Sequence, residues 1–387
     1  SPTLELLFLK AKAQKGLYEY NESVKTLQNI ITKSSDNQIA ILELAECAKL
    51  AGQFNLALEN YEKVIKVNPE HHYAKIQYVN LLLLLEKYRK AQSVCEEILQ
   101  NDSSVIFIKL MAQSYEGLLL PLSARNWYLK AVKIEPYDYF SVSKLASMCI
   151  QTDTLDLAIQ ATEKYREKDP DNIYVNRQNA QTYCLAQNYD QAAERYTQLL
   201  NQGDSTRMTC YYAGMTFFIK ERFYDAHDCL EVALKYDPQN VNVLFYLAKA
   251  CARTSWKKEG VEYMQQAIDL TIPTDENLAK LYAGLADCYN RNREFGKYIE
   301  TLHTQRKYEP KKNYLLYSIG AAYQDYMKDE KNAVKYLEMY LKTRPQESDD
   351  SSSQMEGGML VLDDKASYRA AESRLRTIKQ ETFFRDG

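Results

Sequence analysis

Residues 45–69 read AECAKLAGQFNLALENYEKVIKVNP and contain the features that decide the fold of this chain. Ala45 and Ala57 lie twelve residues apart, Phe54 stands between them, and Pro69 follows Ala57 after another twelve residues. Small side chains let two antiparallel helices approach closely, whereas proline ends a helix because it lacks an amide donor. Since apolar residues between these positions recur at helical spacing, the stretch predicts a pair of packed helices.

The same pattern returns along the chain at a period close to 34 residues. The small residue of each second helix gives the series Ser23, Ala57, Ala91, Ala124, Ala158, Ala192, Ala226, Gly260, Tyr298 and Ala333. Three residues before each small residue, a large side chain is expected to fill the space beneath the turn between the two helices. This second series is Tyr20, Phe54, Tyr88, Pro121, Leu155, Tyr189, Phe223, Lys257, Phe295 and Glu330. Internal repetition at this period is typical of helical arrays in which each unit packs only on its neighbours.

The period and its small, aromatic, small and proline positions resemble the tetratricopeptide repeat family over residues 4–345. The resemblance implies an all-α fold, a right-handed superhelical solenoid of about ten helix-turn-helix repeats. It also implies that the first helix of each pair lines a concave groove, where members of the family bind peptides, helices or whole domains.

The repeat series indicates three segments. Residues 1–345 are expected to form the solenoid, residues 346–364 an acidic loop rich in Ser and Gly, and residues 365–387 a C-terminal capping helix. Gly260 and Tyr298 are 38 residues apart, four more than the usual period, and we expect a loosened joint near residues 270–278.

The charge balance disfavours nucleic acid as a partner. The chain has 49 Lys and Arg against 52 Asp and Glu, a formal net charge of −3. Nucleic-acid binding needs a basic surplus or a basic stripe that displaces counterions. Since the sequence shows neither, we expect a protein or peptide partner.

The spacing of the cysteines and the hydropathy of the chain indicate the state of the thiols and limit the possible locations of the protein. The eight cysteines form no Cys-x-x-Cys pair and stand mostly at interior repeat positions, which is typical of buried reduced thiols. No apolar run is long enough for a transmembrane segment. The compartment stays open: a cytoplasmic location fits the cysteine usage, and export with removal of a leader fits the lack of an initiator Met.

The N-terminal helix is apolar almost all round, with Leu4, Leu6, Leu7, Phe8 and Leu9 in its first turns. One reading is that two of its faces pack within the solenoid. The other is a surface for homo-oligomerisation, because an exposed apolar end favours association.

The sequence shows no set of polar residues at a spacing that indicates catalysis, and no catalytic residue, metal or cofactor is expected. His227 and Glu231 are one helical turn apart, as a metal-binding pair requires, but such pairs are common by chance. No phosphate-cradling glycine motif is present. The sequence therefore predicts that the chain is not an enzyme.

The family pattern places certain first-helix positions in the groove. The early repeats put polar residues there: Glu46, Lys49, Asn80, Lys109, Gln113 and Glu116. The central repeats put aromatic residues and one arginine there: Phe140, Tyr174, Arg177, Tyr211, Met215, Phe218 and Phe245. Because aromatic and Arg side chains are frequent binding hot spots, the central set is the predicted partner-binding site; packing between successive first helices is the alternative.

The leading hypothesis is a non-catalytic scaffold or adaptor that binds a peptide or protein in its concave groove. Two alternatives remain: a structural assembly protein that self-associates through its terminal repeats, and a regulatory repeat domain of a larger enzyme complex.

Overall fold

The structure is a computed structural model that describes residues 3–100, 103–344, 355–356, 359–360 and 364–386. It divides into two compact units, residues 1–188 and residues 189–387. Unit 1 contains the helices α1 (Leu4–Gly16), α2 (Tyr20–Lys33), α3 (Gln38–Leu50), α4 (Phe54–Val67), α5 (His72–Leu84), α6 (Tyr88–Leu99), α7 (Val105–Gly117), α8 (Pro121–Ile134), α9 (Tyr139–Gln151), α10 (Leu155–Arg166) and α11 (Ile173–Leu185).

Unit 2 begins with the second helix of the sixth repeat. It contains α12 (Tyr189–Asn201), α13 (Arg207–Ile219), α14 (Phe223–Tyr236), α15 (Val241–Cys251), α16 (Lys257–Leu270), α17 (Asp275–Arg291), α18 (Phe295–Tyr308), α19 (Tyr314–Ala322), a π-helical turn (Tyr323–Met327), α20 (Glu330–Leu341) and α21 (Asp364–Asp386). Two short strands, β1 (Met355–Glu356) and β2 (Met359–Leu360), pair antiparallel within the segment that was expected to be a loop. The rest of that segment up to residue 363 lies outside the described residues.

Both series read from the sequence have a structural counterpart. Every member of the large-residue series, from Tyr20 to Glu330, is the first residue of a second helix. The members of the small-residue series other than Tyr298 are fully buried. In the first repeat the Ser23 hydroxyl also donates a hydrogen bond to the carbonyl oxygen of Ala11, at 2.9 Å. The prediction of an all-α repeat solenoid is therefore confirmed.

Departures from the two series are accommodated by neighbouring side chains. Lys257 stands where the large residue is expected, and the ring of the preceding Trp256 stacks on His227 with centroids 3.8 Å apart. Tyr298 stands where a small residue is expected, and its half-buried ring packs beside Tyr314 in a core that includes Ile299.

The four surplus residues of repeats eight and nine lie in a helix. The link between α16 and α17, residues 271–274, is as long as the link between α14 and α15, residues 237–240. Helix α17 has 17 residues, whereas α13 has 13. Met264, Leu281 and Cys288 are buried in one core with residues of α15. The joint expected near residues 270–278 stays a prediction.

The last described helix packs on the final repeat of unit 2. Tyr368, Ala371, Leu375 and Ile378 are buried in one cluster with residues of α20. The Arg374 guanidinium donates two hydrogen bonds to the Asp325 carboxylate, at 2.7 and 3.0 Å. This ion pair ties α21 to the π-helical turn.

Helix α1 exposes part of its apolar surface. Leu7 and Ala11 are buried, while Leu4, Leu6 and Leu9 are 37%, 57% and 64% exposed. Self-association through this helix stays a prediction. Among the described residues, no helix combines the length and the apolar character that a membrane crossing requires.

Two tyrosines at the same position of α4 and α8 permit a matched stability test. Tyr61 is fully buried, and its hydroxyl has no hydrogen-bond partner among the described residues. The Tyr128 hydroxyl donates to the Glu116 carboxylate at 2.7 Å. We expect Tyr61→Phe to leave the free energy of unfolding unchanged or raise it by up to ~1 kcal/mol, and Tyr128→Phe to lower it by about 1–2 kcal/mol. Urea denaturation of the two variants checks this; an equal loss in both would contradict it.

Candidate protein-interaction surface

The predicted site residues of unit 1 have different surroundings. Phe140 is half-buried and packs edge-to-face against Tyr128, with ring centroids 6.4 Å apart. Tyr174 is 59% exposed. The Arg177 guanidinium lies 5.9 Å from the centre of the Tyr174 ring, a cation–π distance. Tyr174 and Arg177 are thus brought together at the surface, whereas Phe140 packs against Tyr128 of α8.

The sequence reading missed Tyr139, the neighbour of Phe140. Tyr139 is 46% exposed, and its ring centroid is 5.6 Å from that of Tyr174. Tyr139 opens α9 and Tyr174 lies in the first turn of α11. Tyr139, Tyr174 and Arg177 form what we call the Tyr174 patch, which presents two rings and a cation from successive first helices.

The predicted residues of unit 2 on α13 share one face of that helix. Tyr211, Met215 and Phe218 are three or four residues apart and all are half-buried. Tyr246 of α15 is also half-buried, and its ring centroid is 5.8 Å from that of Phe218. We call these four residues the α13 stripe.

Phe245 differs from the other predicted residues. It is only 7% exposed and belongs to the core formed with Leu244, Met264 and Leu281. Its ring therefore supports the surface from below instead of offering an open contact. The residue that continues the surface on α15 is the next one, Tyr246.

Two cations lie against the α13 stripe. The Lys249 ammonium is 5.3 Å from the Phe218 ring centre and 5.2 Å from that of Phe245. The Arg253 guanidinium is 5.3 Å from the Phe218 ring centre and pairs with Asp287 at 3.0 Å. Burial lowers the pKa of Lys249, and the charge of Arg253 lowers it further. The stripe is thus an aromatic surface with positive charge behind it.

Two of the polar first-helix residues of the early repeats, Glu46 and Glu116, pair with lysines of neighbouring first helices. The Lys15 ammonium donates hydrogen bonds to the carboxylates of Glu46 at 2.7 Å and Glu43 at 2.9 Å, and the Lys144 ammonium donates to that of Glu116 at 2.6 Å. Burial acts to lower the pKa of Lys15, but its hydrogen bonds to Glu46 and Glu43 outweigh burial and raise it. These contacts link α1 to α3 and α7 to α9, so the charges stabilise the stacking of repeats in unit 1.

His227, which forms with Glu231 the candidate metal pair of the sequence, contacts Trp256 and Asp228. The His227 ring stacks on Trp256, its Nδ1 lies 3.0 Å from an Asp228 oxygen, and its Nε2 lies 3.8 Å from Glu231. Among the described residues, no three or more His, Cys, Asp or Glu side chains are grouped as a metal would require.

The cysteines are free and buried, all eight of them. Burial raises the pKa of the Cys288 and Cys251 thiols to about 12. Because the thiolate is the nucleophile, these side chains are inert at neutral pH.

Comparisons with known proteins agree with the helix pairs. The Tetratricopeptide repeat family model matches residues 40–71. Tetratricopeptide repeat protein 21A of Mus musculus is 23% identical over 282 residues, which are 66% of this chain and 21% of that protein. The chain is thus similar to tetratricopeptide repeat proteins, a class of helical repeat protein. It corresponds to only about a fifth of the length of this curated relative.

Two solved structures are also similar to this chain. YrrB, described as a TPR protein with an unusual peptide-binding site, has 20% identity and a TM-score of 0.43, over 49% of this chain and 97% of that one. The APC/C hetero-tetramer Cut9–Hcn1 has 12% identity and a TM-score of 0.40, over 95% of this chain and 96% of that one.

Proposed function

We propose that this chain is a protein-interaction scaffold that binds a peptide or protein segment along the α13 stripe. The observation that carries the proposal is the set of side chains that surround the Phe218 ring. Its half-buried ring contacts Tyr246 on one side and lies over the cations of Lys249 and Arg253. The ring is therefore held in place before a partner arrives.

A surface held in this way favours binding for a physical reason. Aromatic side chains contribute a large contact area, and little conformational entropy is lost on binding when their rotamers are already fixed. Hot spots of protein interfaces are enriched in Tyr, Trp and Arg at well-packed positions. The α13 stripe contributes two tyrosines, Tyr211 and Tyr246, and Arg253 lies against its Phe218 ring.

The Tyr174 patch is the corresponding surface of unit 1. Its two exposed tyrosine rings and Arg177 suit contact with a peptide or protein segment.

The experiment that tests the proposal is capture of the partner from lysate of the source cells. Wild-type chain and the Tyr211→Ala/Phe218→Ala variant are compared by quantitative mass spectrometry. We expect the variant to lose the proteins that the wild type enriches. Equal enrichment by both would refute the α13 stripe as the binding surface.

A further inference from the structure

The turns of repeats eight, nine and ten in unit 2 surround a cleft of about 530 Å³. Its charged lining residues are all cations. Arg253 lies in the turn from α15 to α16 and Lys257 begins α16, while Arg291 ends α17 and Arg293 lies in the turn to α18. The volume lies within the range of about 300–1,000 Å³ that is usual for ligand sites.

The positive charge of this cleft is only partly compensated. Asp287 pairs with Arg253 at 3.0 Å and with Arg291 at 2.8 Å. In the part of the chain that the structure describes, Lys257 and Arg293 form no ion pair. Asp287 thus compensates two of the four cations, and the uncompensated charge of the other two favours an anionic ligand.

An aromatic wall closes one side of the cleft. The rings of Phe295 and Tyr326 stack with centroids 3.9 Å apart and planes 5° apart. Tyr326 reaches this position because it belongs to the π-helical turn, which the Arg374–Asp325 ion pair ties to α21. Since the wall is anchored by a second helix, the cleft is a built feature and not a chance group of surface lysines.

We propose that this cleft binds an acidic stretch of a protein partner in an extended conformation. The cations come from successive repeats, whose packed helices lie about 8–10 Å apart. Alternate side chains of an extended peptide are about 7 Å apart on one face, so successive Asp or Glu residues reach successive turns. Nucleic acid is disfavoured because the chain as a whole carries a net charge of −3.

The cleft is distinct from the α13 stripe except for Arg253, which contacts Phe218 on one side and lines the cleft on the other. The test therefore changes Lys257 and Arg293. The Lys257→Gln/Arg293→Gln variant removes two positive charges and keeps similar side-chain lengths. The matched control is Lys235→Gln/Lys311→Gln, which removes the same charge from two exposed lysines of unit 2 outside the cleft.

Fluorescence anisotropy with fluorescein-labelled hexaglutamate measures the binding, and circular dichroism checks the helicity of each variant. We expect hexaglutamate to bind the wild type and hexaglutamine not to bind. The affinity should fall with added salt, and the cleft variant should lose about tenfold. The control and the single variant Tyr211→Ala should both bind within about twofold of the wild type, which separates this site from the α13 stripe.

Three results would overturn the proposal. Hexaglutamine binding as tightly as hexaglutamate would exclude recognition of charge. If the control variant lost as much affinity for hexaglutamate as the cleft variant, the loss would be explained by net charge alone. An oligothymidylate of equal charge that displaces the label better than unlabelled hexaglutamate would assign the cleft to nucleic acid.

Discussion

Replacing Tyr211 and Phe218 together by alanine is expected to weaken binding of the protein partner by about 2–4 kcal/mol, a loss of roughly 30-fold to 900-fold in affinity. Both rings are half-buried on one face of α13, so truncation removes contact area and opens the surface to water. Truncation at Phe218 also removes the ring that lies over Lys249 and Arg253. Isothermal titration calorimetry with the captured partner measures the change.

The matched control for this variant is Tyr236→Ala/Ile272→Ala. Both residues belong to unit 2 and are 58% and 74% exposed, but neither belongs to the α13 stripe. We expect partner affinity within about 0.5 kcal/mol of the wild type, as is usual for surface positions outside an interface. A control that loses as much affinity as the stripe variant would show that general apolar surface, and not this stripe, binds the partner.

Gly260→Ala is expected to lower the free energy of unfolding by about 1–3 kcal/mol, although alanine is the better helix former. A Cβ atom at this position would lie 2.8 Å from the carbonyl oxygen of Ala248 and 3.1 Å from the backbone nitrogen of Ala252. Both contacts are with backbone, which moves only if α15 and α16 separate. The midpoint of urea denaturation, followed by circular dichroism, measures the loss.

Gly296 provides the matched comparison because it is also helical and a Cβ atom there would meet nothing within 4 Å. Gly296→Ala is expected to raise the free energy of unfolding by up to ~1 kcal/mol through helix propensity alone. If both variants shifted the midpoint in the same direction, close approach of helices at Gly260 would not explain the small-residue series.

The sequence predicted the fold well because its signals are local and repeated. The large residue begins each second helix because a large side chain fits only at the turn, and the small residue three positions later is fixed by the distance between helices. The π-helical turn at Tyr323–Met327 has no such signal, since it departs from a helix that begins in the regular way. The sequence also did not indicate that surplus residues would extend α17.

The site residues were harder to predict because adjacent residues point about 100° apart on a helix. At α9 and α15 the sequence predicted Phe140 and Phe245, which are half-buried and buried, while the neighbouring Tyr139 is exposed and Tyr246 half-buried. A phenyl ring has no polar group and packs in the core, whereas a tyrosine hydroxyl favours the water-facing side. The cationic cleft could not be predicted from the sequence because its residues come from three repeats and meet only after folding.

The most direct test of the central claim is photocross-linking to the partner from single positions of the chain. A photoreactive benzoylphenylalanine replaces Phe218 in one sample and Tyr236 in another, and cross-linked partner is quantified in each. The account predicts a strong cross-link from position 218 and none above background from position 236. Equal cross-linking from both positions, or a cross-link from position 236 alone, would contradict binding along the α13 stripe.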